Sequence, residues 1–366
     1  MWATEASDAR YTRAMFSHTL RSSLLLVALV GCDASTAPPP SDGGAAGTDA
    51  AAMVPDAALN DAALADAGDP GSDAGAASDA GPSDCDLPDR TVAAGDVSGT
   101  WCGAVHVTGA VRVPAGATLS VAPGTRVDFA PAVALTVEGT LVLGGQPAGH
   151  IALGPASARW SGLVVRGLLE ASFTDVSQAD VGLTTAAAGS ARFVDGSVRD
   201  CGSPAAVEGD TTFDRSSLVG GTSVRIAGSA AALRMTDTTL DLLSPIGGPD
   251  CTSFSGGTTV LDHVRITGCH CPLHFNATSA PITVTNSILD GATNPVMIAN
   301  TSGAFHGNVF DGVGNGILDI GGGIDVDVAG NDWTQPTADI GSRDLSQFRN
   351  ASSTLTGRPA GVGPRP

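Results

Sequence analysis

Two aspartates and two arginines, Asp214, Asp262, Arg192 and Arg234, are the side chains whose types and spacing could support catalysis. Two carboxylates can cleave a glycosidic bond as general acid and general base when about 6.5–9.5 Å separates them, because an attacking water then fits between them. A repeat in the sequence predicts that Asp214 and Asp262 lie on one outward face, two strands apart. At a strand spacing of about 4.8 Å their separation is about 9.6 Å, which is the outer limit for such a pair.

Aligning the copies of the repeat predicts two adjacent outward columns of side chains. Threonine, arginine and aspartate are also what a solvated parallel sheet displays, and Arg–Asp pairs on neighbouring strands are ordinary surface interactions. The columns therefore favour a non-catalytic surface, and the four residues are candidates only under an enzymatic alternative. The first column holds Thr174, Val194, Asp214, Thr236, Asp262, Thr285 and His306, and the second holds Ser172, Arg192, Thr212, Arg234 and Val260.

The elements that would position these residues are short strands. Apolar residues alternate in triplets that begin eight residues apart, and such alternation is typical of a strand because successive side chains point to opposite faces. The intervening turns contain Pro and Gly but lack the Asn-Gly or Asp-Gly of two-residue hairpins. A chain that bends the same way after each strand closes a coil about every 24 residues, which predicts a solenoid. The triplets pair Val111 with Val113, Leu119 with Val121, Val127 with Phe129, and Leu135 with Val137.

A second pattern, apolar-x-turn-x-x-apolar, continues the repeat towards the C-terminus. The turn positions step by 20 to 26 residues. Asp, Asn, His and Gly tolerate a left-handed backbone best, so most of these positions fit a tight turn, with Arg215 as the exception. The pattern predicts that Phe193, Phe213 and Met235 stack inward, one coil apart. The turn positions are Asp175, Asp195, Arg215, Asp237, His263, Asn286, Gly307 and Gly330.

The stretches VPAGATLSVAPGTRVDF, ALTVEGTLVLGG and WSGLVVRG resemble the N-terminal coils of the pectin-lyase-like superfamily. The resemblance implies an all-β chain folded as a right-handed, single-stranded parallel β-helix of about ten to twelve coils. That fold serves lyases, hydrolases and adhesins alike, so it does not specify an activity. Lyases of the superfamily use clustered acids for calcium and an arginine as base. No cofactor is predicted here, and calcium is expected only under the enzymatic alternative.

The N-terminal region predicts export and a lipid anchor. Residues 22–32, SSLLLVALVGC, form an apolar run of signal-peptide length that is too short to span a bilayer. Its end, Leu29-Val30-Gly31-Cys32, resembles the lipobox of bacterial lipoproteins, which implies cleavage after residue 31 and lipidation of Cys32. The alternative is an ordinary secretory signal with an incidental cysteine. The expected location is the bacterial cell envelope, at the outer membrane or cell surface rather than the inner membrane.

Composition divides the remainder of the chain. Residues 32–84 contain ten Asp and no Lys or Arg, and they are otherwise mostly Ala, Gly, Ser and Pro. Such a segment cannot bury enough apolar surface to fold, so it is predicted to be a disordered linker. Residues 85–350 are the predicted β-helix domain, and residues 351–366 are a C-terminal tail.

Six cysteines remain if Cys32 is lipidated, and export permits disulfides. Cys85 and Cys102 flank the start of the domain and are candidates for a disulfide that caps the first coil. Cys251 is about one coil from Cys271, at 20 residues, and Cys269, at 18 residues, is nearly as suitable a partner. The connectivity, including the partners of Cys201 and Cys269, is not decided. The sequence Cys269-His270-Cys271-Pro272-Leu273-His274 also admits a metal site, but its spacing fits no familiar zinc pattern, so disulfides are preferred and no metal is predicted.

The charge pattern excludes one class of partner. The net charge is −19 and the basic residues, all arginine, are not clustered as a nucleic-acid footprint requires. The predicted function is therefore that of a lipid-anchored envelope protein that displays a non-catalytic surface for polysaccharide or another surface, in an adhesin-like or structural role. The alternative is a polysaccharide lyase or glycoside hydrolase of the β-helix type.

Overall fold

A computed structural model describes residues 89–244, 250–275, 281–290, 296–311, 317–319, 325–333, 348–350 and 359–366. All regular secondary structure in these ranges is β-strand, which confirms the all-β prediction. Across the same ranges, we found no helix with the length and apolar character needed to cross a membrane. The predicted signal peptide, Cys32 and the predicted linker lie outside the described residues.

The described strands, numbered in chain order, form three parallel sheets. The first sheet contains β1 (Arg90–Val92), β4 (Ala104–Val107), β7 (Arg126–Phe129), β10 (Ile151–Pro155), β13 (Thr174–Ser177), β16 (Ser197–Arg199), β19 (Ser217–Val219), β22 (Thr239–Ser244), β25 (Arg265–Cys269), β28 (Ile288–Asp290), β31 (Val309–Asp311) and β34 (Asp332–Trp333). The second contains β2 (Gly95–Asp96), β5 (Val111–Val113), β8 (Ala134–Val137), β11 (Gly162–Val165), β14 (Val181–Thr185), β17 (Ser203–Val207), β20 (Val224–Ile226), β23 (Thr252–Phe254), β26 (His274–Phe275), β29 (Val296–Ile298) and β32 (Ile317–Asp319). The third contains β3 (Gly99–Trp101), β6 (Thr118–Val121), β9 (Thr140–Gly144), β12 (Leu168–Ser172), β15 (Ser190–Val194), β18 (Asp210–Asp214), β21 (Ala232–Thr236), β24 (Thr258–Asp262), β27 (Ile282–Thr285), β30 (Ser302–His306), β33 (Asp325–Asp327) and β35 (Phe348–Arg349).

Up to β34, strands three apart along the chain pair in parallel, so each coil contributes one strand to each sheet, and β33 also pairs with β35. The apolar triplets of the opening repeat show the consequence. Val111 and Val113 of β5 align with Leu135 and Val137 of β8, three triplets further along the chain. The structure is therefore a parallel β-solenoid, as predicted, with a coil of about 24 residues in this region.

The core consists of columns of like side chains that follow the solenoid axis. Phe193, Phe213 and Met235 are in register and stack inward, as predicted. The two phenylalanine ring centroids are 5.9 Å apart, and each side chain is at most 1% exposed. Burying one such side chain contributes about 1.5–3 kcal/mol, so the columns supply much of the stability.

The turns from the third sheet to the first confirm all but one of the predicted positions. Asp195, Arg215, Asp237, His263, Asn286, Gly307 and Gly330 all have positive φ. The prediction of Asp175 is wrong, because Phe173, with φ 44°, occupies the turn in that coil. Ala171 is the core residue there and aligns with Phe193.

This shift corrects the start of both outward columns. Val194 aligns with Ser172 rather than Thr174, and Arg192 aligns with Glu170 rather than Ser172. The later members, from Val194 and Arg192 onwards, are in register as predicted. The error has a physical cause. A large aromatic residue is uncommon in a left-handed turn, so the sequence pattern places Phe173 with the core phenylalanines and does not identify the small Ala171.

In several of these turns the residue after the positive-φ position is polar and buried, and its side chain forms hydrogen bonds with neighbouring coils. Nδ2 of Asn308 donates to the carbonyl of Val284 (2.8 Å), and its Oδ1 accepts from the amide of Ser287 (2.9 Å). One coil further on, Oδ1 of Asn331 accepts from the amide of Asn308 (3.0 Å). The side chains thus satisfy backbone groups that the turn leaves without partners.

Candidate functional site

The four residues predicted as catalytic candidates lie in the two adjacent outward columns of the third sheet. Asp214 and Asp262 are two strands apart, with Thr236 between them, and Arg192 and Arg234 are likewise separated by one residue. Both arginines are exposed. The predicted placement on one face is therefore confirmed.

The two aspartates are held by neighbouring groups. Asp214 accepts a hydrogen bond from Arg215 (2.8 Å), and Oδ1 of Asp262 accepts from Thr285 (2.7 Å) and Asn286 (3.0 Å). Burial opposes ionisation of Asp262, but these hydrogen bonds and the adjacent His263 hold its pKa below the usual value. Since a general acid needs a raised pKa, this environment does not favour Asp262 in that role.

A groove of about 520 Å³ follows the turns between the third and first sheets, and we call it the turn groove. Its lining spans several successive coils and reaches the C-terminus of the chain. The lining residues are His150, Phe173, Asp175, Asp195, Gly196, Ser197, Arg199, Arg215, Ser216, Ser217, Asp237, Arg365 and Pro366.

Asp175 is the centre of one polar cluster in the turn groove. It accepts from Nη2 of Arg199 (2.9 Å) and from the hydroxyl of Ser197, and Nδ1 of His150 lies 3.1 Å from its Oδ2. Burial alone would raise the pKa of Asp175, but the hydrogen bonds with Ser197, Arg199 and His150 outweigh it and lower the pKa. The carboxylate is therefore ionised at neutral pH and fixed in orientation.

Two further Asp–Arg pairs continue the lining on the following coils. Arg215 donates to both carboxylate oxygens of Asp195, at 2.8 and 2.9 Å. Arg365 donates to both oxygens of Asp237, at 2.7 and 2.8 Å. Bidentate pairs of this kind are planar and well oriented, although an exposed pair adds at most about 1 kcal/mol to stability.

Phe173 supplies an aromatic surface beside these pairs. Its side chain is half-buried and packs edge-on against His150, with ring centroids 5.7 Å apart. The turn groove thus combines oriented donors and acceptors with an apolar ring, which are the groups that non-covalent recognition of a polar ligand requires.

The C-terminal residues close one end of the turn groove. The amide of Gly363 donates to the carbonyl of Asn286 (2.8 Å), and Arg365 reaches Asp237. Residues 359–366 therefore lie along the turns, on coils that follow those of Asp175 and Asp195.

We expect acid to loosen this C-terminal contact. The hydrogen bond from Arg365 lowers the pKa of Asp237 against the opposing effect of burial. Because the pKa of Asp237 is lower in the folded protein than in a free aspartate, about 3.9, the ion pair stabilises the contact at every pH above that value. The stabilisation is lost as the pH falls through the lowered, folded pKa. The NMR shift of the Gly363 amide should be constant near neutral pH and change in acid, and Arg365→Ala should produce the released shift at neutral pH. A matched change at the exposed Arg349, Arg349→Ala, should leave that shift unaltered.

The structure settles one disulfide that the sequence left open. Cys251 forms a disulfide with Cys269, with Cα atoms 5.7 Å apart, rather than with Cys271. Cys269 ends β25, whereas Cys271 lies in the turn that leads into β26, where its carbonyl accepts from the amide of Cys251 (3.1 Å). Cys201 and Cys271 are buried thiols. Cys102 is disulfide-bonded, and its candidate partner Cys85 lies outside the described residues.

A second set of polar side chains surrounds Cys271. Ligand atoms of Asp250, Cys271 and His274 all lie within 4.8 Å of one another. Burial and the nearby carboxylate of Asp250 raise the pKa of the Cys271 thiol to about 12. The sequence drew attention to Cys271 and His274 but not to Asp250, which lies on the preceding coil.

Sequence reasoning also missed most of the turn groove. It identified Asp195, Arg215 and Asp237 as turn residues but gave them no binding role, and it did not consider His150, Arg199 or Arg365. The recurrence of a charged residue at the same turn position was the available signal.

Comparisons with protein-family models, with curated proteins and with solved structures gave no match for the chain.

Proposed function

We propose that the chain is a lipid-anchored protein of the bacterial cell envelope whose β-helix binds a polysaccharide in the turn groove without cleaving it. The proposal includes the right-handed, pectin-lyase-like form of the solenoid, which agrees with the strong preference of parallel crossovers for that hand. The observation that carries the proposal is the row of oriented Asp–Arg pairs beside the half-buried ring of Phe173.

The periodicity of the turn groove suits a linear polymer. Neighbouring coils are about 4.8 Å apart, so a chain lying along the axis meets an equivalent turn on each coil. Each Asp–Arg pair offers hydroxyl groups both a donor and an acceptor in a fixed plane. Phe173 adds an apolar face against which a sugar ring can pack.

The ionised, hydrogen-bonded carboxylates support binding rather than cleavage. Asp175 and Asp262 both have lowered pKa values, whereas a glycosidase acid needs a raised one. The alternative remains a lyase or hydrolase that uses Asp214, Asp262, Arg192 and Arg234, and its support is their common outward face.

A glycan array followed by titration of the best-binding polysaccharide tests the proposed site. Phe173→Ala and Arg199→Ala should each weaken binding about tenfold, the equivalent of about 1.4 kcal/mol, because each removes one contact group from the turn groove. Arg192→Ala, which removes an exposed arginine outside the turn groove, is the matched control and should bind as the wild type does.

Three outcomes of this experiment would contradict the proposal. The first is that no polysaccharide binds. The second is that Phe173→Ala and Arg199→Ala bind normally. The third is turnover of a bound glycan that disappears in Arg192→Ala, which would establish the enzymatic alternative.

The lipid anchor is tested separately. If Cys32 is lipidated, Cys32→Ser should lose palmitate labelling and leave the membrane fraction. Cys201→Ser removes a buried cysteine instead and should retain both properties. Unchanged labelling of Cys32→Ser would exclude the anchor.

A further inference from the structure

We propose that Asp250, Cys271 and His274 bind a divalent transition-metal ion of the zinc type. These residues do not line the turn groove, so the inference stands or fails independently of polysaccharide binding. It rests on their placement, their burial and the chemistry of their ligand atoms.

Two paired coils bring the three residues together. Asp250 precedes Cys251 and β23, and Cys271 lies just before β26, whose first residue is His274. β23 and β26 pair in parallel with Ser253 opposite His274, so His274 is fixed relative to the backbone that carries Asp250.

Covalent and hydrogen-bonding links hold the same two segments. The amide of Cys251 donates to the carbonyl of Cys271 (3.1 Å), and the hydroxyl of Thr252 donates to that of Pro272 (2.6 Å). The disulfide between Cys251 and Cys269 joins the residue after Asp250 to the segment that leads to Cys271. The ligand atoms are therefore organised before any ion binds, which lowers the entropic cost of binding.

The side chains converge on a largely buried point. Cys271 is fully buried, and Nδ1 of His274 lies 2.7 Å from Oδ2 of Asp250. That Nδ1 atom is inaccessible to solvent yet is not aligned for a hydrogen bond with the carboxylate. A buried ring nitrogen without an aligned hydrogen bond costs folding free energy, and a metal ion accepts its lone pair directly.

A neighbouring histidine supports the carboxylate from its other side. Nε2 of His270, which is only 8% exposed, lies 3.4 Å from Oδ1 of Asp250. This leaves Oδ2, on the side of His274, to face the ion. Such outer contacts orient a ligand and commonly affect metal affinity.

The mixture of ligand atoms selects the class of ion. Sulfur and imidazole nitrogen suit zinc and its neighbours, whereas calcium and magnesium prefer oxygen throughout. Tetrahedral ligands bound at about 2.0 Å are about 3.3 Å apart, so the Asp250 and His274 atoms must separate by roughly half an ångström. Rotation of the partly exposed Asp250 side chain can provide this movement. Three protein ligands leave a fourth position for water or another molecule.

Cobalt(II) provides a direct probe, because a bond to thiolate produces a charge-transfer absorption band. One equivalent of Co²⁺ added to the full chain should produce that band, and Zn²⁺ should abolish it. Cys271→Ser should remove the band, while Asp250→Asn and His274→Ala should weaken Co²⁺ binding at least tenfold. Cys201→Ser, which removes the other buried thiol, should behave as the wild type does.

Thermal unfolding distinguishes a lost site from a misfolded variant. Zn²⁺ should raise the Tm of the wild type and of Cys201→Ser, should raise that of Asp250→Asn less at the same concentration, and should not raise that of Cys271→Ser, because the stabilisation follows the affinity of the folded site. Asp250 is partly exposed, so Asp250→Asn keeps the test valid even if Cys271→Ser does not fold. A wild-type chain without the cobalt band, or a band that survives in Cys271→Ser, would overturn the proposal.

Discussion

Phe213→Asp is expected to prevent folding of the coils around residue 213. The side chain is fully buried between Phe193 and Met235 in the core column. Loss of the ring costs about 3–5 kcal/mol, and an unpaired carboxylate in the same place costs several kcal/mol more. The sum is comparable to the whole stability of a typical domain, about 5–15 kcal/mol.

The damage should be local at first because a solenoid coil contacts mainly its neighbours. Hydrogen exchange should show lost protection in the strands near residue 213, while the strands of the first coils remain protected at low temperature. Thermal unfolding should show a second, earlier transition or no folded state at all.

Thr212→Asp is the matched control, since it places the same group one residue away on the outward face. Thr212 lies between Arg192 and Arg234 in register, so the new carboxylate has cationic neighbours. We expect its effect to stay within about 1 kcal/mol, as for other solvated substitutions. If Thr212→Asp were as damaging as Phe213→Asp, the inward and outward assignment of this strand would be wrong.

The core columns could be predicted because the same physical demand recurs on each coil. Phe193 and Phe213 occupy one phase of an alternating strand, and a shift by one residue would place both in solvent. Phe173 shows the limit of this reasoning. Its position in a left-handed turn depends on pairing with neighbouring coils, which residue type alone does not reveal, so a small core residue, Ala171, was missed.

The binding groups were harder to predict because they depend on contacts that are distant in sequence. Arg365 and Asp237 are separated by 128 positions, and no local pattern connects them. Asp250 lies one coil away from Cys271 and His274, and the spacing in sequence did not distinguish Cys269 from Cys271 as the partner of Cys251. Repeat period predicts which coil a residue belongs to, but the turn geometry decides which side chains meet.

Asn308→Ala is expected to destabilise the C-terminal coils by about 2–4 kcal/mol. The side chain is fully buried, donates to the carbonyl of Val284 and accepts from the amide of Ser287. Alanine leaves both backbone groups buried without these partners, and each such group costs about 1–3 kcal/mol. Thr222→Ala, which removes an exposed hydrogen bond to the carbonyl of Gly202, is the control and should change stability by less than about 1 kcal/mol.

A double-mutant cycle with Asn331 tests whether the turns form a connected ladder. Oδ1 of Asn331 accepts from both the amide and the Nδ2 of Asn308, at 3.0 and 3.1 Å. Each single substitution breaks the bond between the two side chains, so the double variant should lose less stability than the sum of the single losses. A coupling of about 0.5 kcal/mol or more is expected for residues in one network. Strict additivity in thermal or denaturant unfolding would show that each asparagine acts only on its own turn. Equal stability of Asn308→Ala and Thr222→Ala would show that the buried amide is not needed.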